Sequence, residues 1–459
     1  MLFPRLTLVS SAVSGALAAS WIVPGAVWTD TSGNKIDAHG GGIVQRGDTF
    51  YWIGQSTSDS ISPYLYSSTD LLNWTNLGKQ ASIQQLWRPK IAKPNGSFWI
   101  YGQVDRNIQA LVSTQMVGGY VTHGAAVTIP PNSYTYSDTG MFKDTDGSWY
   151  ILTSADHNIS TNSILVLSIR HLTHLIVQYK STKSTRTDPS EPEPLNSIRP
   201  AAGAYEAPGI LKVDGVYFLI VSAKTGWRSN PNKMFYSTSI TGSWTGPFDI
   251  APQAENTYNS QNTFELTISG SKQTTYMYMG DSWDSKGGTS SNYIWLPIAV
   301  SSSAKTFSLQ YHAMWKIDVG TGVVSYPTTK KRYEAEDAVI TGRAAVTSCN
   351  DCISKRAVHR IGSDSQVTFQ NVIGTGHPQW FSIHYSVNSP EIGEAHIFVN
   401  DEPRPTNISL FNSRAGYHKV VPMELTLKPG NVNTITFGAM GSEDFEVHID
   451  GIELFEDEL

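Results

Sequence analysis

GGIVQRGDTFYWIG, residues 41–54, decides the fold: two apolar runs, Ile43-Val44 and Phe50 to Ile53, flank the turn Arg46-Gly47-Asp48. A glycine turn between β-branched and aromatic residues is hairpin chemistry. The same unit returns as FKDTDGSWYILTS (142–154), PGILKVDGVYFLIVSA (208–223) and KQTTYMYMGDSW (272–283). Helical periodicity is scarce, and such hairpins recur from Gly40 to Val324. Small antiparallel sheets repeated at regular intervals predict a β-propeller. A β-sandwich is the structural alternative, but a stretch of roughly 300 residues is long for one sandwich.

The whole chain of 459 residues exceeds one ordinary core, so two domains are expected. A net charge of −6 leaves no basic footprint and argues against nucleic acid as a partner. Charged residues make up only 16%, against 11% aromatics, a balance that suits a neutral ligand stacked on rings, such as a sugar. Strand-rich proteins carry many aromatics in any case.

MLFPRLTLVSSAVSGALAAS (1–20) has one Arg, an apolar stretch from Leu6 to Val13 and small residues at Ala16, Ala18 and Ala19. That is the pattern of a secretory leader over 1–19, too short to span a bilayer. No later segment reads as a membrane helix, so the expectation is a secreted, extracellular protein without a membrane partner. Sequons at Asn73, Asn95, Asn158 and Asn407 are compatible with a glycoprotein. The two cysteines, Cys349 and Cys352, are read as a tight disulfide, since nothing nearby completes a zinc site.

The rhythm breaks over 165–200, where HLTHLIVQYK leads into KSTKSTRTDPSEPEPLNS, an atypical surface insertion. A second shift follows Tyr326-Pro327. The expected organisation is a propeller over 20–326 and a compact β-sandwich over 327–459, an all-β chain throughout.

Several motifs resemble glycoside hydrolase family 43. SSTDLLNW (67–74), TGSWTGPF (241–248), MGDSWDS (279–285) and NYIWLPI (292–298) are similar to its propeller. DAHGGGI (37–43), RPK (88–90), the run 142–158, AYEAPGI (204–210) and SQNTFEL (260–266) resemble its fungal exo-β-1,3-galactanase branch. The resemblance implies five blades and an inverting, exo-acting galactan 1,3-β-galactosidase that releases galactose from β-1,3-galactan or arabinogalactan. An arabinofuranosidase or xylosidase of the same family is the alternative, as is a catalytically impaired glycan-binding protein.

Glycoside hydrolysis needs a proton for the leaving oxygen and a water on the opposite face. The acid must stay protonated, so its pKa must be raised by burial or a nearby carboxylate. Glu206, in AYEAPG before a Pro-Gly turn, is the expected acid. The resemblance implies that Asp138, in YSDTGMF, orients that acid and tunes it. It also implies that Gln261 positions the water, acting through its imidic tautomer. Asp144 and Asp146 read as turn residues.

The sequence departs from the family at two carboxylates: Trp87 precedes RPK where a Glu is usual, and Gln55 stands in YWIGQ where a Glu is usual. Losing such carboxylates alters recognition of sugar hydroxyls. Asp37, two residues from His39, is a candidate replacement, and His39 itself a candidate for the channel floor. Trp227 and Trp283 are candidate stacking platforms. The substrate-binding expectation thus comprises His39, Asp37, Gln55, Trp87, Trp227 and Trp283, with no cofactor for catalysis and a monomeric protein.

YEAEDAVITG (333–342) and HIDGIELFE (448–456) resemble a family 35 carbohydrate-binding module. That resemblance implies a jelly-roll sandwich with a structural calcium held by Glu334, Glu336 and Asp450, oxygen ligands of the kind Ca²⁺ takes. Glu334 and Glu336 are expected on one strand face, and Arg360, Trp380, Tyr417 and Asp444 are candidate sugar contacts. Tethering such a module to an enzyme suits a polymeric substrate.

Overall fold

The computed structural model describes residues 19–126, 135–158, 161–168, 196–198, 204–284, 287–387, 393–400, 402, 406–410, 419–439 and 447–456. The expected leader, most of the expected insertion, Tyr417 and Asp444 lie outside these residues.

Among the described residues, five four-stranded antiparallel sheets follow one another along the chain, each built from four consecutive strands paired with their sequence neighbours. They are the blades of a propeller. The innermost strands are His39–Arg46, Trp87–Ala92, Thr135–Lys143, Tyr205–Val213 and Gln261–Ser269. The opening stretch is the inner hairpin of blade 1, in register from Gly42↔Ile53 to Arg46↔Thr49.

The insertion starts later and ends earlier than the sequence suggests. Thr161–Ser168 and Asn196–Ile198 are the two outer strands of blade 3. The apolar alternation of SILVLS supplies the first of them, which the neighbouring polar run obscures.

Blades pack face to face through large apolar side chains. Between blades 5 and 1, Trp52, Trp74, Trp295 and Trp315 are fully buried, with the Trp52 and Trp295 rings 4.7 Å apart. Each such burial stabilises by roughly 1.5–3 kcal/mol. Blade 1 and blade 5 share no strand. The ring is closed by this packing and by an antiparallel bridge in which Ile22 N–H donates to Trp315 O at 2.7 Å and Trp315 N–H to Ile22 O at 3.0 Å.

Every innermost strand carries a β-bulge near its start. The register slips between His39 and Gly42, Trp87 and Lys90, Glu206 and Gly209, and Asn262 and Phe264. In blade 3, Thr153 pairs with Thr139 but Ser154 with Ser137, leaving Asp138 as the extra residue. Gly40, Arg88, Asp138 and Ala207 have φ of +59°, +48°, +58° and +54°. For the three that are not glycine this costs about 1–2 kcal/mol each. Bulges re-aim side chains, and here they turn one end of all five inner strands toward the axis.

The sandwich holds one sheet ordered Ala345–Ser348, Arg356–Ile361, Val447–Phe455, Pro378–Val387, Lys419–Thr426, and a second five-stranded sheet. Lys330–Glu334 pairs with Gly451–Phe455, so the domain's first and last strands lie side by side. Cys349 and Cys352 are disulfide-bonded. The two domains meet where Trp21, Val23, Ala26 and Met314 pack on Phe455 and Trp380.

Candidate active site

The bulged strand starts assemble one polar cluster. Ala207 N–H, one residue beyond Glu206, donates to Asp138 Oδ2 at 2.9 Å, which ties the two carboxyl-bearing strands together. Asp138 N–H in turn donates to Gln103 Oε1 at 2.9 Å. Burial pushes the Glu206 carboxyl up to about 8, with the Asp138 charge adding to the rise; Arg88, Lys224 and the bond from Gln261 oppose it. A carboxyl in this state holds its proton at neutral pH and can donate it.

Gln261 lies against the acid, its Nε2 donating to Glu206 Oε1 at 3.0 Å and to Ser222 Oγ at 3.0 Å. Its Oε1 accepts from Trp283 Nε1 at 2.9 Å and from Arg88 Nη2. An indole N–H and a guanidinium can only donate, so the atom between them is the amide oxygen. An imidic acid would need a proton on that oxygen, where two donors already point. The imidic role therefore does not fit, and both hydrogens of the amide nitrogen are engaged as well. In this geometry Gln261 acts on Glu206.

Arg88 is the hub that sequence reasoning missed. It is 4% exposed, its Nε is 2.8 Å from Asp138 Oδ1, and its Nη1 donates to Asn262 O at 3.1 Å. One guanidinium thus fixes the acid's two neighbours, Asp138 and Gln261. Ser222 was missed too. The available signal was proline: Pro89 and Pro208 interrupt apolar strand sequence, and proline within a sheet marks bulges.

The other expected residues divide. Gln55 is buried, and its Oε1 accepts from the backbone N–H of Arg88 at 2.8 Å, so it supports the hub from behind. His39 is fully buried, bonded through Nδ1 to Asp281 Oδ1 at 3.1 Å and stacked on Tyr293 at 4.6 Å. Asp37 does not replace a missing carboxylate: both its oxygens are taken by Ser56, Thr57 and Ser58, within 2.7–3.0 Å, and it clamps that loop. Its nearest approach to His39 is 3.8 Å.

Trp87, Trp227 and Trp283 form one continuous aromatic wall. Ring centroids are 5.7 Å apart for Trp87–Trp227 and 4.9 Å for Trp227–Trp283. Gly287 covers Trp227 so closely that a Cβ there would lie 2.5 Å from the ring. Trp283 is buried and serves Gln261, whereas Trp87 and Trp227 are half-buried and keep surface for a ligand. Asp144, read as a turn residue, is buried and also holds Lys212 and Tyr217.

In the sandwich, Arg332 bridges Glu334 Oε1 at 2.7 Å and Asp450 Oδ2 at 2.8 Å. Glu336 does not share the strand face of Glu334; the strand ends at Glu334 and Glu336 sits in the 3₁₀ turn Ala335–Asp337. Among the described residues no three acidic or histidine side chains close on a common point. Even so, Glu334 Oε2, Glu336 Oε2 and Asp450 Oδ1 are each buried without a hydrogen-bond partner. Such oxygens suit a hard cation. Trp380 packs in the domain interface and is no free sugar platform, while Arg360 is exposed.

Comparison with known proteins agrees with this fold. An exo-β-1,3-galactanase from Phanerochaete chrysosporium, solved with β-1,3-galactotriose, superposes with a TM-score of 0.80 at 29% identity, over 95% of this chain and 100% of that one. An exo-β-1,3-galactanase from Clostridium thermocellum shares the fold, with a TM-score of 0.57 at 22% identity over 94% of this chain and 99% of that one. An extracellular endo-α-(1→5)-L-arabinanase of Bacillus subtilis is 25% identical over 244 residues, 46% of this chain and 67% of that protein. The model of glycosyl hydrolases family 43 matches residues 36–294. This chain is a member of glycosyl hydrolase family 43.

Proposed function

We propose that the protein is a secreted, exo-acting galactan 1,3-β-galactosidase that releases galactose from β-1,3-galactan by inversion. The observation that carries this reading is the half-buried Glu206 carboxyl, tied through Ala207 to Asp138 at 2.9 Å on a propeller of this family. Glu206 donates its proton to the departing glycosidic oxygen. Asp138, neutralised on one oxygen by Arg88, keeps the acid protonated until substrate arrives. Gln261 holds the acid's carboxyl in place. Water then attacks the oxocarbenium-like sugar from the opposite face and releases its proton to bulk solvent, since the amide at position 261 offers no titrating base.

The leader and the extracellular relative support secretion. Trp87, neutral where related enzymes carry a carboxylate and half-buried beside Trp227, favours a second reading with pentose-containing substrates. The sandwich is proposed as a carbohydrate-binding module in which Glu334, Glu336 and Asp450 would hold Ca²⁺, whose charge would secure its first strand to its last.

Product analysis on β-1,3-galactan, arabinan and xylan tests the reading. Galactose released from galactan alone, and lost in Glu206→Gln, is the expected result. Arabinose or xylose as the sole product would replace it with the second reading. Retention on galactan without any release would make the protein a glycan binder.

A further inference from the structure

A cavity of about 760 Å³ lies at the opposite mouth of the propeller from Glu206. Its wall is the far ends of all five innermost strands, whereas the acid sits at their beginnings. Its volume lies in the range of small-molecule sites.

Its charge is one-sided. Arg46 and Lys93 converge on the same ring, their charged ends 5.5 Å and 4.8 Å from the centroid of Phe98. Lys143 adds a third cation, 5.5 Å from the Trp149 ring centroid. All three are exposed, and among the described residues none has a carboxylate partner. Asp144, the acid at this rim, is already held by Lys212 and by Tyr217 Oη at 2.7 Å. Like charges gathered without a counter-ion raise the local concentration of anions.

A second observation points inward. Glu265 lines the same cavity, is 6% exposed, and its Oε1 has no hydrogen-bond partner. Gly209 packs on it so tightly that a Cβ there would stand 2.1 Å from Glu265 Oε2. Leaving a buried polar oxygen unmatched costs about 1–3 kcal/mol, and a ligand hydroxyl would satisfy it.

We propose that this mouth is a second carbohydrate site, separate from the catalytic one, for a sugar chain bearing carboxylate groups. Arg46, Lys93 and Lys143 meet the carboxylates, and the Glu265 carboxyl bonds a ring hydroxyl. Burial pushes the Glu265 carboxyl up to about 8, so near neutral pH it is uncharged and does not repel such a ligand. The site would let the enzyme hold an acidic polysaccharide while its other face works on a neutral branch.

The test is isothermal titration of full-length Glu206→Gln protein with trigalacturonic acid at low ionic strength. One equivalent should bind, at least tenfold more weakly when Arg46→Gln and Lys93→Gln are added. Lys143→Gln alone should weaken it about threefold, and circular dichroism checks that each variant is folded. Unchanged affinity in both variants, or no binding to the parent, would overturn the proposal. So would inorganic phosphate binding as tightly as the sugar acid, since the mouth would then be a general anion site. Binding of β-1,3-galactotriose should be indifferent to all three substitutions, which keeps this result independent of the catalytic assignment.

Discussion

Trp283 donates its indole N–H to Gln261 Oε1 at 2.9 Å, and that bond fixes which end of the amide faces the acid. Because the other end then donates to Glu206 Oε1, Trp283 influences the proton donor through an intermediary. Trp283→Phe keeps an aromatic ring but removes this donor together with the five-membered part of the indole. It should lower kcat about tenfold with little change in KM, because the acid's orientation matters most in the transition state. Equal loss in KM would mean that the ring, not the N–H, carries the effect.

Gln261 itself gives a signed expectation. Its hydrogen bond favours the charged form of Glu206 and holds that pKa down. Gln261→Leu should therefore move the alkaline limb of the kcat/KM profile to higher pH and reduce kcat by roughly 10²-fold. The parent enzyme should lose activity as pH rises through about 8 and show no acidic limb belonging to residue 261. A Gln261→Glu variant faster than the parent would show that a base is wanted there, contrary to this geometry.

Asp138→Asn acts in the opposite direction. Its negative charge raises the acid's pKa, so neutralising it should shift the alkaline limb downward. The same change strips Arg88 of its carboxylate, which is 2.8 Å away and part-buried, and stability should fall by about 1–3 kcal/mol. Both shifts are read from one protein, by pH–rate profile and urea unfolding. A limb that stays in place would reduce Asp138 to a scaffold for Ala207.

Much of this was legible in residue order and some of it was not. Hairpin turns such as Arg46-Gly47-Asp48 and Val213-Asp214-Gly215 announce the blades because turn chemistry is local. Glu206, Asp138 and Gln261 could be placed together by resemblance, and they do meet. What stayed hidden depends on non-local register. Arg88 becomes a hub only because a bulge turns it inward at φ +48°. Asp37 looked free beside His39, but the backbone of Thr57 and Ser58, some twenty residues on, claims it. Glu265, between Phe264 and Leu266, is buried because an inner propeller strand is covered on both faces, which residue order alone does not reveal.

That buried Glu265 also makes stability depend on pH. Its carboxyl holds a proton in the folded chain up to about 8, but only to its ordinary 4.5 when exposed. Between those values the folded state binds more protons, so stability falls as pH rises through the window. Glu265→Gln removes the titration while keeping the shape. The variant should gain on the parent at pH 8 by a few kcal/mol relative to its difference at pH 5, measured by urea unfolding. Parallel pH curves for the two proteins would mean that Glu265 is charged and compensated in the fold.

Calcium gives the last expectation. If the buried oxygens of Glu334, Glu336 and Asp450 take the ion, chelation leaves them unmatched, with Arg332 bridging only Glu334 and Asp450. Repulsion among them then loosens the pairing of Lys330–Glu334 with the final strand. Full-length protein treated with EDTA should melt several degrees lower in its sandwich transition, and Ca²⁺ but not Mg²⁺ should restore it, because a flexible all-oxygen site suits the larger ion. Glu336→Gln should abolish that response while sparing the Arg332 bridge, since Glu336 takes no part in it. A parent melting curve indifferent to EDTA and Ca²⁺ would overturn the ion and leave Arg332 as the partner of Glu334 and Asp450.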